Sequence, residues 1–180
     1  MIIKHATQIG DPMIRAKAKP VVASSAMSPQ TKKIVRDLID SMRYHGLVGM
    51  AAPQIGVSLR IFVSELRETN VRRAGEMDAV RIFINPKIIR LSKTKRVGGE
   101  GCGSVAHAGL FGMVPRSNEV TVTALNERGK RFVLRAKGLL AAVIQHETDH
   151  LDGILFLDRL SNMKSLMSRE EYVKKLLRKG

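Results

Sequence analysis

The chain has 180 residues, 44% hydrophobic and 26% charged, which suits one globular domain and excludes a disordered or fibrous protein. Lys and Arg number 31 against 16 Asp and Glu, a net charge of +15; that field favours acidic partners, but scattered basic residues and only 4% aromatics argue against a base-stacking surface or specific DNA binding. No apolar run is long enough to span a membrane, and a single cysteine, Cys102, excludes an internal disulfide.

Met1–His5 runs into ordinary sequence with no signal or transit pattern, so a cytoplasmic location is expected. Up to residue 27 the chain holds short apolar pieces and turns (Gly10-Asp11-Pro12, Lys19-Pro20). A helix follows: Ser28 suits its N-cap, Pro29 its first position, and Ile34, Val35, Leu38, Ile39 and Met42 share a face before Gly46 ends it. Leu47–Gly56 is built of small apolar residues around a polar Gln54, a backbone suited to close approach. Leu59–Val63 predicts a strand, 65–80 a charged surface excursion, Arg81–Pro86 a strand stopped by its proline, and Ile88–Leu91 another.

Val97–Ser104 is glycine-rich and reads as a loop that carries Glu100 and Cys102. Val120–Leu125 and Arg131–Arg135 form a hairpin across Asn126-Glu127-Arg128-Gly129. A helix from Gly138 to Gly153 carries His146-Glu147-Thr148-Asp149-His150. A last helix starts at Ser168, with Glu171 completing a capping box.

H-E-x-x-H puts His146 and His150 on one helix face, where both can meet one ion, and sets Glu147 beside them to take a proton from an activated water. Two imidazoles leave the ion short of a protein ligand. A third His six residues beyond His150 is excluded, because Phe156 stands there. Glu170 lies at the distance used by two-His, one-Glu proteases. Cys102 offers a thiolate on a glycine-rich segment. Both remain open on spacing alone, and with them an H-E-x-x-H protease-like hydrolase. A third reading is a non-catalytic basic protein bound to RNA or the ribosome.

Three stretches, Leu47–Gln54, Glu100–Ser104 and His146–His150, fall in the order and spacing of the motifs of peptide deformylases. The likeness runs from Gly10-Asp11-Pro12 through Ile84-Asn85-Pro86 and Val114-Pro115-Arg116 to Leu151-Asp152-Gly153, nearly the whole chain to residue 160. The resemblance implies an α+β fold of antiparallel sheets around a central helix that carries both histidines. It implies one divalent metal on Cys102, His146 and His150, Fe(II) natively with Ni, Co or Zn as substitutes. The implied reaction removes the formyl group from the N-formylmethionine of nascent polypeptides.

In that setting Glu147 acts as base and then acid, and the side chain of Gln54 and the N–H of Gly103 stabilise the oxyanion. Leu139, Ala142 and Val143, with Val48, would line a methionine pocket, and Gly49 would bond an extended substrate. Asp149 is expected to pair with Arg116 behind the ligands. The sequence departs from the family's habit at Leu47, usually Gly, and at Gly103, usually Leu, and Val105–Met113 is slightly long; a freer turn after the cysteine is expected. Residues 1–160 read as the catalytic part and 161–180 as a basic helical tail of the same domain. Its six basic residues against two acidic ones are compatible with ribosome docking.

Overall fold

In the computed structural model, which describes residues 3–69 and 75–178, helix α3 (Gly138–Leu151) packs against both of two antiparallel sheets. The larger sheet has the order β1 (Gly49–Ala51), β2 (Ile61–Leu66), β3 (Asp78–Leu91), β6 (Glu119–Leu125), β7 (Arg131–Lys137). The smaller runs β4 (Lys95–Gly101), β5 (Leu110–Ser117), β8 (Met167–Ser168). Among the described residues the other α-helices are α1 (Pro12–Arg15), α2 (Pro29–Tyr44) and α4 (Arg169–Leu177). The α+β architecture is therefore as expected, and no helix of the described residues is long and apolar enough to cross a membrane.

Local chemistry explains the helix ends. The Ser28 hydroxyl accepts the Thr31 N–H at 3.1 Å and Pro29 opens α2. The Ser168 hydroxyl accepts the Glu171 N–H at 3.4 Å at the start of α4. Strand alternation then divides the core. Ile61 and Val63 face α2 with Leu38, Met42 and Met50, whereas Phe62 turns to Phe83, Ile144 and Leu151 under α3. Phe62 and Phe83 stack with centroids 4.3 Å apart. A third cluster, Ile14, Val105, Val114, Leu155 and Phe156, surrounds Cys102. Each such large side chain contributes roughly 1.5–3 kcal/mol on burial.

The structure corrects three expectations. Pro86 does not end a strand: β3 continues through it, because Pro86 lies in a register shift against β6 between Ile84 and Lys87, where no ladder N–H is required. Asn85, at φ 51°, turns there and ties the amino-terminal segment to the sheet, accepting from Val21 N at 2.8 Å and donating to Val21 O at 2.7 Å. The excursion at 65–80 is shorter than expected, since β2 reaches Leu66 and β3 begins at Asp78; residues 70–74 lie outside the described residues. Val97–Gly101 is strand rather than loop, paired along its length with β5, whose Leu110–Pro115 part was not anticipated.

Candidate metal centre

Cys102 follows directly on β4, and His146 and His150 rise one turn apart on α3. The three ligand atoms lie within 4.8 Å of one another, and Cys102 Sγ is 3.2 Å from His150 Nε2. Cys102 and His150 are buried and His146 is partly buried. Of the open choices for the third ligand, Cys102 is the one brought to the histidines. Glu170 is exposed at the start of α4, and Phe156 is buried in the cluster around Cys102.

The donor set fits a divalent transition metal: one thiolate and two imidazoles, with capacity left for a water or substrate. Glu147 is buried beside it, and among the described residues its Oε2 has no hydrogen-bond partner. Burial pushes the Glu147 carboxyl up to about 7, the range of a working proton carrier. Burial and the charge of His146 lower His150. Burial also opposes protonation of His146, but hydrogen bonds and charge from Cys102 and Glu100 outweigh it and raise its pKa.

The ligands are held from behind by a charged network. His146 Nδ1 lies 2.8 Å from Glu100 Oε2, which leaves the other ring nitrogen for a metal. Arg116 donates to Glu100 through Nε and Nη2 at 2.8 and 2.9 Å, and through Nη1 to Asp149. Arg159 donates to both oxygens of Asp149, through Nε to Oδ2 at 3.1 Å and through Nη2 to Oδ1 at 2.7 Å. Burial raises Glu100, but the bonds from Arg116 and His146 prevail and hold it at about 2. The pairing expected of Arg116 and Asp149 is present. Glu100 and Arg159 were not anticipated in this network. Glu100 stood in plain view two residues before Cys102, and only its placement in a strand, facing α3, reveals what it touches.

Gln54 Oε1 accepts the Ala51 N–H at 2.8 Å, which turns Nε2 toward Cys102 Sγ at 3.6 Å and Ser104 Oγ at 3.3 Å. Among the described residues no acceptor takes the Gly103 N–H. The turn after Cys102 is not free. Gly103 O accepts from Gln8 Nε2 at 2.8 Å, Ser104 O from Ile9 N at 2.8 Å, and Cys102 O from Val105 N at 3.0 Å. Gly49 is buried against α3, where a Cβ would lie 2.4 Å from Glu147 Oε1 and 2.9 Å from Val143 Cγ1. Val48, Leu139 and Ala142 are partly buried and Val143 is buried, and none of the four belongs to the three apolar clusters. His5 and His107 are exposed, and His45 caps α2.

A thiolate and two imidazoles with a buried carboxylate alongside are the equipment of a metal-dependent hydrolase. Comparison with known proteins narrows the class. The profile of the family described as Polypeptide deformylase matches residues 3–166, and the chain belongs to that family. It is 40% identical over 163 residues to the peptide deformylase of Desulforudis audaxviator, covering 91% of this chain and 97% of that one. With the mitochondrial peptide deformylase of Homo sapiens it shares 35% identity over 167 residues, covering 88% of this chain and 68% of the other. Among solved structures, the Met-Ala-Ser-bound class I type b peptide deformylase of Acinetobacter baumannii superposes with a TM-score of 0.83 at 29% identity, covering 88% of this chain and 100% of the other. The Thermotoga maritima peptide deformylase gives 0.76 at 33%, covering 90% and 100%.

Proposed function

We propose that this chain removes the formyl group from the N-terminal formylmethionine of new polypeptides, releasing formate, with Cys102, His146 and His150 holding one divalent metal ion. The observation that carries the reading is the convergence of those three ligand atoms within 4.8 Å beside the buried carboxylate of Glu147, in a chain of this family. Fe(II) is the ion we favour, on the family resemblance, with Ni, Co or Zn able to take the same thiolate–imidazole set. When bound, such an ion supplies Lewis acidity to water and to the formyl oxygen.

The chain's own residues do the rest. Glu147 takes a proton from the attacking water and passes it to the departing amine as the C–N bond breaks, so formate leaves with the water's oxygen. Gln54 Nε2 and the Gly103 N–H face the oxygen on which charge develops. Val48, Leu139, Ala142 and Val143 receive the methionine side chain. Gly49 lets the substrate backbone lie against β1 as an added strand. Glu100, Arg116, Asp149 and Arg159 keep the ligands aimed. We read residues 1–160 as the catalytic part and 161–180 as a tail of the same domain. The exposed Lys174 and Lys175 on α4, with Arg178 just past its end, suit a ribosomal partner, and a cytoplasmic location follows from that reading.

The test is formate release from a formyl-Met peptide by protein loaded anaerobically with Fe(II) or Ni(II). Glu147→Gln should cost about 10²–10⁴-fold while metal content is retained, and Cys102→Ala or chelation should abolish both. An inactive, fully metallated wild type refutes the function.

A further inference from the structure

Tyr172 of α4 and Phe111 of β5 stack with centroids 4.4 Å apart and planes 10° apart. They lie on one face of β4. A Cβ on Gly99 would fall 2.2 Å from Tyr172 Cε2, and one on Gly101 2.5 Å from Phe111 Cζ. The two rings thus sit directly on the strand's backbone, where no side chain fits. Successive residues of a strand face opposite sides, so Glu100, between the two glycines, points the other way. There it meets Arg116 and, at 2.8 Å, His146 Nδ1. The next residue after Gly101 is Cys102. The backbone that carries one ligand, and the carboxylate that aims another, is therefore pressed from behind by a ring from the carboxyl-terminal helix. That helix is itself anchored: Leu110 and Phe111 pair with Ser168 and Met167, and Arg169 N donates to Gly109 O at 2.9 Å.

We propose that α4 is a positioning element for the metal centre, with Tyr172 setting, through Gly99 and Phe111, the reach of Glu100 to His146 and of Cys102 to the shared ion. This rests on the reading that Cys102, His146 and His150 hold the metal. Losing a carboxylate that orients a ligand costs about 10–100-fold in metal affinity. Tyr172 acts one step further back, so its removal should weaken binding about tenfold, the lower end of that range. Cε2 and the hydroxyl both cover Gly99, Cε2 more closely, and only the ring stacks on Phe111, so we assign the role to the ring.

The experiment measures Ni(II) affinity of the full chain by competition with a chromogenic chelator, well below the unfolding temperature of every variant. Tyr172→Ala should bind about tenfold more weakly and Tyr172→Phe like wild type. Gly99→Ala should weaken binding on its own but add nothing in the Tyr172→Ala background, where the colliding ring is gone. That non-additivity separates positioning from general destabilisation. In the metal-free protein, amide exchange should quicken at Gly99–Gly101 in Tyr172→Ala while α3 keeps its protection. Unchanged Ni(II) affinity in Tyr172→Ala, or additive losses with Gly99→Ala, overturns the proposal. Wild type that binds no Ni(II), or Cys102→Ala that binds as wild type does, instead refutes the ligand set and takes the positioning role with it.

Discussion

Arg116→Met removes the cation shared by the two carboxylates behind the metal centre. Arg116, Glu100 and Asp149 are all nearly buried, with side chains 7%, 11% and 11% exposed. Breaking a buried ion pair by deleting one partner costs about 3–5 kcal/mol, because the other charge stays desolvated. Here neither carboxylate is stranded, since Glu100 keeps His146 and Asp149 keeps Arg159. The expected loss is therefore at the lower end, about 3 kcal/mol. For a chain of this size each kcal/mol moves Tm by about 2–4 °C, so the metal-free protein should melt about 6–12 °C lower. Metal affinity should fall about 10–100-fold, since Glu100, still bonded to His146 but no longer fixed by Arg116, holds that ring less firmly in one orientation. Arg116→Lys should recover less than half of either loss, because an ammonium cannot bridge Glu100 and Asp149 as the guanidinium fork does. Thermal unfolding and chelator competition on the three proteins decide it. An Arg116→Met protein within about 1 kcal/mol of wild type, binding metal equally well, would show that the buried network does not support the ligands.

Substitutions at Gly49 and in the Gly103–Leu47 contact probe the cleft. Gly49→Ala places a methyl group 2.4 Å from Glu147 Oε1, so the carboxylate must move. We expect kcat to fall about 10²-fold, the scale of an ångström-sized misplacement, with Ni(II) binding unchanged; an unaltered kcat places the base elsewhere. A Cβ on Gly103 would come 3.0 Å from Leu47 Cδ1, so Gly103→Leu should overpack the turn by about 1–3 kcal/mol. Pairing it with Leu47→Gly should restore Tm and kcat/KM toward wild type; additive damage from the two changes would contradict the contact.

Legibility in the sequence tracked how local each signal was. The starts of α2 and α4 are legible because their serine caps stand beside them, and the span of α3 because Gly138 and Gly153 bracket its helical period. β4 was missed because strand formation there depends on β5, and glycines at positions 98, 99 and 101 imitate a loop. At positions 99 and 101 the real constraint comes from the rings of Tyr172 and Phe111, which only the packing of α4 and β5 on β4 reveals. Pro86 misled in the opposite direction, since only the register with β6 shows that its missing N–H is not needed. At the site, His146, Glu147 and His150 followed from helical spacing. The choice between Cys102 and Glu170 did not follow from spacing and needed either the family likeness or the fold.

The turn after Cys102 shows how a departure from a family's habit can be absorbed without leaving the site loose. Glycine at position 103 widens the accessible backbone conformations of a free chain, hence the expectation of a mobile turn. In the fold that freedom is removed from outside. The amino-terminal segment binds Gly103 O and Ser104 O, Val105 closes on Cys102 O, and Leu47 fills the space beside the missing side chain. The apolar surface is thus supplied by the residue before Val48 instead of the residue after the cysteine. Leu47 also packs on the cluster formed with α2, so this wall is built on the core rather than on the turn. A ligand-bearing turn needs its backbone fixed, and these contacts fix it without a side chain at residue 103. Gln54 Nε2 and the Gly103 N–H therefore keep a defined spacing relative to Cys102, which is what the oxyanion role we propose for them requires.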